Sequence, residues 1–151
     1  MGIQHISAKG WSPAAPAVVY ALLRDGASWP HWSSFSTFEL LEEGEGGGEG
    51  MGALRRFRTG PTRSCEEIIA LEPDRRFGYA LRKGLPLRDY VGYVDLAPER
   101  HGTAIHWHSS FRARIPGTGW FYRRLLGSFI RRLVKALAAA AAVSQLKGAA
   151  A

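Results

Sequence analysis

The stretch WFYRRLLGSFIRRLVKALAAAAAVSQL, residues 120–146, runs its whole length without a proline. Within it Leu126, Phe129, Leu133 and Leu137 recur at spacings of three and four, while Arg124, Arg131, Arg132 and Lys135 fall on the other side. That period lines one face of an α-helix with apolar groups. It predicts a long amphipathic helix, with Thr118 in the preceding PGTG as its N-cap. Such a helix must bury its apolar face against something, and the rest of the chain says what.

Upstream lie short apolar runs of period two, separated by turn residues. They are IQHISAKGW (3–11), FSTFELLEE (35–43), ALRRFRT (53–59), SCEEIIALE (64–72), FGYALRK (77–83), RDYVGYVDL (88–96) and TAIHWHSSFRARI (103–115). The breaks GPT, PDRR, GLP and PERHG are short, as in an antiparallel meander. Between the first two runs, SPAAPAVVYALLRDG reads as a helix capped by Ser12 with Pro13 at its first position, ended by Gly26. SWPHWSSF reads as a short helical turn. The order predicts one α+β domain over residues 1–151, a curved antiparallel sheet of about seven strands wrapped around a long C-terminal helix.

Composition narrows the function. One cysteine, Cys65, leaves no internal disulfide and fits a reducing cytoplasm. No basic-then-apolar leader opens the sequence and no uncharged apolar run reaches the ~20 residues of a membrane span. The net charge is +7, from 20 Lys and Arg against 13 Asp and Glu. The cations are scattered and no aromatic-basic RNA motif accompanies them, so a solvated surface is expected rather than a nucleic-acid partner. GEGGGEGMG (44–52) is a flexible acidic hairpin loop. It precedes no helix, so it is not a dinucleotide loop, and no nucleotide cofactor is expected.

His106 and His108 form an H-x-H pair that could supply two legs of a metal site. Strand alternation groups Ile105, Trp107, Ser109 and Phe111 on one face and His106, His108, Ser110 and Arg112 on the other. The aromatic set must be buried, so the histidines point outward beside arginines. No Cys or carboxylate at a metal-site spacing supplies a third ligand, and no metal is expected.

The segments WPHWSSF, GALRRFRTG, EEIIALEPDRRFGYALRKGLPLRDY and WHSSFRARIPGTGW leading into the helix carry a resemblance. The chain resembles the SRPBCC superfamily of START-like, helix-grip proteins, and within it the bacterial polyketide cyclase/dehydrase group. The resemblance covers nearly the whole chain. It implies a helix-grip fold with a cavity between sheet and helix. Members include lipid carriers, hormone sensors and aromatase/cyclases, so fold alone does not choose an activity.

The same alternation nominates the cavity. Phe77, Tyr79 and Leu81 share a face, as do Tyr90, Gly92, Val94 and Leu96, and Gly92 could leave room for a ligand. On the third run either Arg55 with Phe57, or Leu54 with Arg56 and Arg58, faces in; Arg55 is preferred because it travels with the aromatic. On the fourth, Glu66 with Ile68 is preferred over Glu67 with Ile69, and an inward Arg–Glu pair would be self-consistent. The candidate ligand-binding set is therefore Arg55, Glu66, Tyr79, Leu81, Tyr90, Gly92, Trp107, Phe111, Phe129 and Leu133. No nucleophile elbow is visible, and Cys65 has no identifiable histidine partner.

Three functions fit. The first is binding of a small hydrophobic, aromatic or polyketide-like molecule, by a monomer or homodimer. The second is a cyclase, aromatase or dehydratase without metal or nucleotide cofactor, using Tyr79, Tyr90, Arg55 or Glu66 as acid/base or oxyanion groups. The third is docking on anionic lipid or a protein partner through the arginine face of the final helix.

Overall fold

The structure, a computed structural model, describes residues 2–150. Strand β1 spans Gln4–Ser12, helix α1 Pro16–Arg24 and helix α2 Trp29–Trp32, with a short 3-10 turn, Gly26–Ser28, between the helices. Six strands follow: β2 (Thr37–Glu42), β3 (Leu54–Thr59), β4 (Thr62–Glu72), β5 (Arg76–Lys83), β6 (Leu87–Glu99) and β7 (Gly102–Ala113). Helix α3, Gly119–Ala150, ends the fold. The strands form one curved antiparallel sheet in the order β1-β7-β6-β5-β4-β3-β2. From β2 to β7 this is the meander that short turns dictate, and β1 closes it by pairing with β7.

Local chemistry accounts for most boundaries. The β6–β7 turn has only Arg100 and His101 between the paired Glu99 and Gly102, and both have left-handed backbones, as a two-residue hairpin matched to strand twist requires. The first helix starts later than expected. β1 runs on through Ser12, and α1 begins with Pro16 after Ala15. Ser12 is not the cap. Its hydroxyl donates to the Ala138 carbonyl of α3 and accepts from the Ala14 amide. A strand that can pair across its full length with β7 outcompetes one extra helical turn. Thr118 does not cap α3 with its side chain either; its Oγ1 donates back to the Ile115 carbonyl.

The core lies between the concave face of the sheet and helices α1 and α3. Ile68, Phe77, Val94, Ile105 and Trp107 are buried from the strands, Val19 and Leu23 from α1, and Ile130, Val134 and Leu137 from α3. The strand residues follow the predicted alternation, with inward Trp107 and Phe111 between half-buried His106, His108 and Ser110. α3 meets β1 at Gly10, where a Cβ would lie 2.5 Å from Val134 Cγ1. Only glycine lets the backbone come that close. The C-terminal end of α3 is tied down by Gln145, whose side chain accepts from the Ala15 amide and donates to the Pro13 carbonyl.

Candidate functional site

A cavity of about 280 Å³ lies between the N-terminal half of α3 and strands β4–β7. Its walls are mostly apolar: Trp29 and Phe35 from the α2 region, Leu81 and Leu85 from β5 and its turn, Leu126, Phe129, Ile130 and Leu133 from α3. The polar groups are Glu66, Tyr79, Tyr90 and Ser64, with Thr59, Thr62 and Arg132 also among the lining residues. Such a wall, apolar with a few convergent polar groups, suits a small organic ligand.

Of the residues chosen from sequence, Glu66, Tyr79, Leu81, Tyr90, Trp107, Phe129 and Leu133 line this cavity. Arg55, Gly92 and Phe111 do not. Phe111 is buried and stacks on the Tyr90 ring, centroids 5.8 Å apart. Gly92 pairs with Tyr79 across β5 and β6, and a Cβ there would sit 2.5 Å from Tyr79 Cζ. The room expected beside Gly92 is thus filled by the tyrosine ring, which the cross-strand register lays over the bare backbone.

Arg55 faces inward, 1% exposed, as the alternation favoured. Its guanidinium lies about 5 Å from the ring centroids of Trp29, Phe57 and Phe77. Its ion-pair partner differs from the expected one. Arg55 Nη1 donates to Glu49 Oε1 at 3.0 Å and to the Leu23 carbonyl at 3.1 Å. Glu49 comes from the glycine-rich loop, and the same oxygen accepts the Gly26 amide. That loop is therefore pinned by a carboxylate rather than freely flexible, and Arg24 also donates to the Glu49 carbonyl. A loop has no period, so alternation could not nominate Glu49.

Glu66 sits directly across from Arg55 in the β3–β4 register and is 9% exposed. Its Oε1 is buried without a hydrogen-bond partner. Burial pushes its carboxyl up to about 7, and the nearby Arg55 charge offsets part of that rise. Burial holds the phenols of Tyr79 and Tyr90 above their usual range, so both stay protonated at neutral pH. Trp107 Nε1 donates to the Tyr79 hydroxyl at 3.0 Å, and the Tyr90 hydroxyl donates to Ser109 Oγ at 3.1 Å. These bonds fix the two rings while leaving Glu66 the least satisfied polar group on the wall. Cys65, a neighbour of Glu66 on the opposite face, is a free, buried thiol whose pKa burial raises. It has none of the low-pKa character of a nucleophile.

The aromatic wall formed by α2 and its flanks was missed as a site by sequence reasoning. Trp29 is 2% exposed and packs on Trp32, Phe35, Phe57 and Trp107 with centroids 5.0–5.9 Å apart. Phe35 meets Phe129 of α3 edge-on at 5.5 Å. The signal was available: WPHWSSF holds three large aromatics in a polar turn, and they must be buried somewhere.

On the outer face His106 and His108 stand ring to ring, 4.7 Å apart. The expectation that no third ligand stands near them is corrected: Asp95 of β6 pairs with His106 in register, and ligand atoms of all three lie within 4.8 Å of one another. Both Asp95 oxygens are engaged by Arg76, at 2.6 and 3.1 Å, and His108 Nε2 lies 2.7 Å from Oδ2. Burial disfavours the Asp95 charge, yet the Arg76 and His108 hydrogen bonds hold its carboxyl below the usual range. Burial, with the neighbouring His108 and Lys9, lowers the His106 pKa. His106 Nε2 lies 2.8 Å from Ser7 Oγ. The arrangement is an ion-pair network in which a guanidinium already occupies the carboxylate that a metal would need.

No described helix is long and apolar enough to cross a membrane. A search of curated proteins returns no match. Solved structures resemble the fold. A START superfamily protein from Mycobacterium smegmatis superposes with a TM-score of 0.78 at 14% identity, over 91% of this chain and 97% of that one. Ara h 8.0201 gives 0.73 at 17% identity, over 93% and 98%. TTHA0849 from Thermus thermophilus gives 0.69 at 21% identity, over 95% and 98%. The family model described as polyketide cyclase / dehydrase and lipid transport matches residues 4–147. With that match spanning nearly the whole sheet and helix, the chain belongs to the polyketide cyclase / dehydrase and lipid transport family.

Proposed function

We propose that this protein binds one small, largely apolar molecule between sheet and α3, and that Glu66 selects for a hydrogen-bond donor on it. The observation that carries this reading is the unpartnered Glu66 Oε1, buried on the wall of an otherwise apolar cavity. A buried acceptor with no partner is costly unless a ligand or water satisfies it. An amine, hydroxyl or amide on an aromatic or aliphatic body would supply the donor. The protein acts as a cytoplasmic monomer or homodimer that needs no metal and no nucleotide.

The test is binding of an environment-sensitive apolar dye, paired with native mass spectrometry of protein from its own host. Wild type should bind the dye with a saturable fluorescence rise. Leu81→Trp, which fills the cavity from a half-buried wall position, should lose binding at unchanged melting temperature. Absence of dye binding and of any co-purifying molecule in wild type would overturn the reading.

A second reading rests on the raised carboxyl of Glu66. A general acid/base works best with a pKa near the operating pH. Glu66 would then take or give a proton during enolisation or water loss in a polyketide-like substrate, beside the Tyr79 and Tyr90 phenols. Glu66→Gln separates the readings. A carrier keeps its dye affinity within a few-fold and releases its cargo unchanged. An enzyme keeps affinity but loses conversion of the extracted molecule.

A further inference from the structure

We propose that the N-terminal end of α3 docks on an anionic lipid bilayer, so that the mouth of the cavity opens at the membrane surface. The inference rests on the binding reading above, because it says where the cargo is exchanged. Its core observation is an exposed apolar cluster where the chain leaves β7 and enters α3. Trp120 is 58% exposed, Phe121 49%, Leu125 50% and Ile115 51%. Trp120 and Phe121 lie edge to face at 6.2 Å. Large apolar groups scattered singly on a surface are ordinary, but a contiguous group marks an interaction site. Exposed Trp and Phe interleaved with arginines on one helix surface suit a helix lying in a membrane interface.

The charge around the cluster names the partner. The sequence has no Asp or Glu after Glu99, while Arg100, Arg112, Arg114, Arg123, Arg124, Arg131, Arg132, Lys135 and Lys147 all follow it. These nine cations account for more than the net charge of +7, because residues before 100 hold 11 Lys and Arg against all 13 acids, a balance of −2. The cations are scattered along the sequence; the acids are not, so the basic excess is local. Arg123, Arg124, Arg131 and Arg132 are exposed on α3, and none enters an ion pair among the described residues.

Geometry joins the cluster to the cavity. Leu125 and Arg132 line the cavity while remaining on the solvent side of α3. The opposing lip is made by Thr59 and Thr62 at the β3–β4 turn and Leu85 at the β5–β6 turn. An apolar molecule leaving between these lips next to Trp120 and Phe121 would enter acyl chains instead of water. A protein partner with an acidic surface would be met by the arginines equally well, but it would not need a Trp–Phe–Leu wedge beside the cavity mouth.

The experiment is co-sedimentation with vesicles of phosphatidylcholine alone and of phosphatidylcholine with about a third phosphatidylglycerol, at low and high salt. Wild type should bind the anionic vesicles at least tenfold more tightly than the neutral ones, and binding should weaken as salt screens the arginines. Brominated acyl chains should quench part of the tryptophan emission, and Trp120→Ser should remove most of that quenching, since Trp29 and Trp107 are buried, Trp32 is half-buried, and Trp11 stands at the far end of β1 with its Nε1 donating to the Glu99 carbonyl. Trp120→Ser with Phe121→Ser should cut binding tenfold or more. Arg123→Gln with Arg124→Gln should cut it by a similar factor, at about fivefold per charge. Neither pair lines the cavity, so dye binding in solution and melting temperature should stay at wild-type values. No vesicle binding by wild type, binding indifferent to lipid charge, or no quenching would overturn the docking proposal. So would loss of a concentration-dependent dimer in the Trp120→Ser, Phe121→Ser variant, which would assign the patch to a second copy. Dye binding in solution is read independently. Wild type that binds dye but not vesicles loses only the docking proposal.

Discussion

The two halves of α3 treat the sheet differently. From Leu133 onward the helix is a core element. Leu133, Val134, Leu137 and Ala141 are buried, Gly10 of β1 makes room for Val134, and Ser12 and Gln145 tie the helix backbone and end to the start of the chain. From Trp120 to Phe129 the same helix is a wall. Leu126 and Phe129 are half-buried over the cavity, and Trp120, Phe121 and Leu125 stand in solvent. The difference separates most of the residues that hold the fold from those that meet a ligand, with Ile130 and Leu133, buried yet on the cavity wall, at the boundary. The ligand-facing half can then vary without unfolding the protein.

Breaking the core half should cost most. Leu137→Ala should destabilise by about 2–5 kcal/mol in chemical denaturation, the range for a large aliphatic removed from a packed site. A loss below about 1 kcal/mol would show that this half of α3 does not close the core.

Glu66, under the wall half, carries the next effect, and its sign follows from linkage. Its carboxyl titrates at about 7 in the folded protein against an ordinary value of 4.5. Between those values the folded state holds more protons than the unfolded one. Stability therefore falls as pH rises through that window, by about 3 kcal/mol in all. Glu66→Gln should match wild type below about pH 4.5 and exceed it by that amount above about pH 7. Parallel stability curves for the two proteins across this range would contradict the burial of an ionising group.

Gly10→Ala probes the closest approach of β1 to the core half. The added methyl meets Val134 Cγ1, so the cost should be about 1–3 kcal/mol. Adding Val134→Ala should recover part of it, and a coupling energy near zero in the double-mutant cycle would mean the backbones had already moved apart. The smallest expected effect is on the wall. Phe129→Ala removes a half-buried ring and should cost only about 1 kcal/mol, while the widened cavity changes dye affinity severalfold. A cost like that of Leu137→Ala would erase the distinction between the halves.

Alternation made much of this legible in the sequence. Tyr79, Leu81, Tyr90, Trp107, Arg55 and Glu66 all face inward because side chains on a strand have only two sides to choose from. The period of α3 revealed its apolar stripe, although Ile130 and Val134, at neighbouring positions, are more buried than Leu126 and Phe129. What escaped was set by register and by loops. Asp95 joins His106 and His108 only because β6 and β7 pair in one particular frame. Glu49 reaches Arg55 from a loop with no period at all. Tyr79 covers Gly92 because the two strands place them opposite each other. Side-chain direction is a local property of a strand, whereas the choice of neighbour is not.

The pairing of β1 with β7 sets an order of events during synthesis. Gln4 pairs with Phe111 and Ser12 with Thr103, and the helix that packs on β1 follows β7 in the chain. At ribosomal rates of about 5–20 residues per second, the first strand emerges roughly 5–20 seconds before its partner exists. Through that interval its inward Ile6 and Ala8 lack their final cover, and its edge is open to pairing with other chains. On the opposite face His5, Ser7 and Lys9 are polar and exposed, beside Trp11. A chain cut before residue 103 would keep strands β2–β6 but leave β1 without its partner and the concave face without α3.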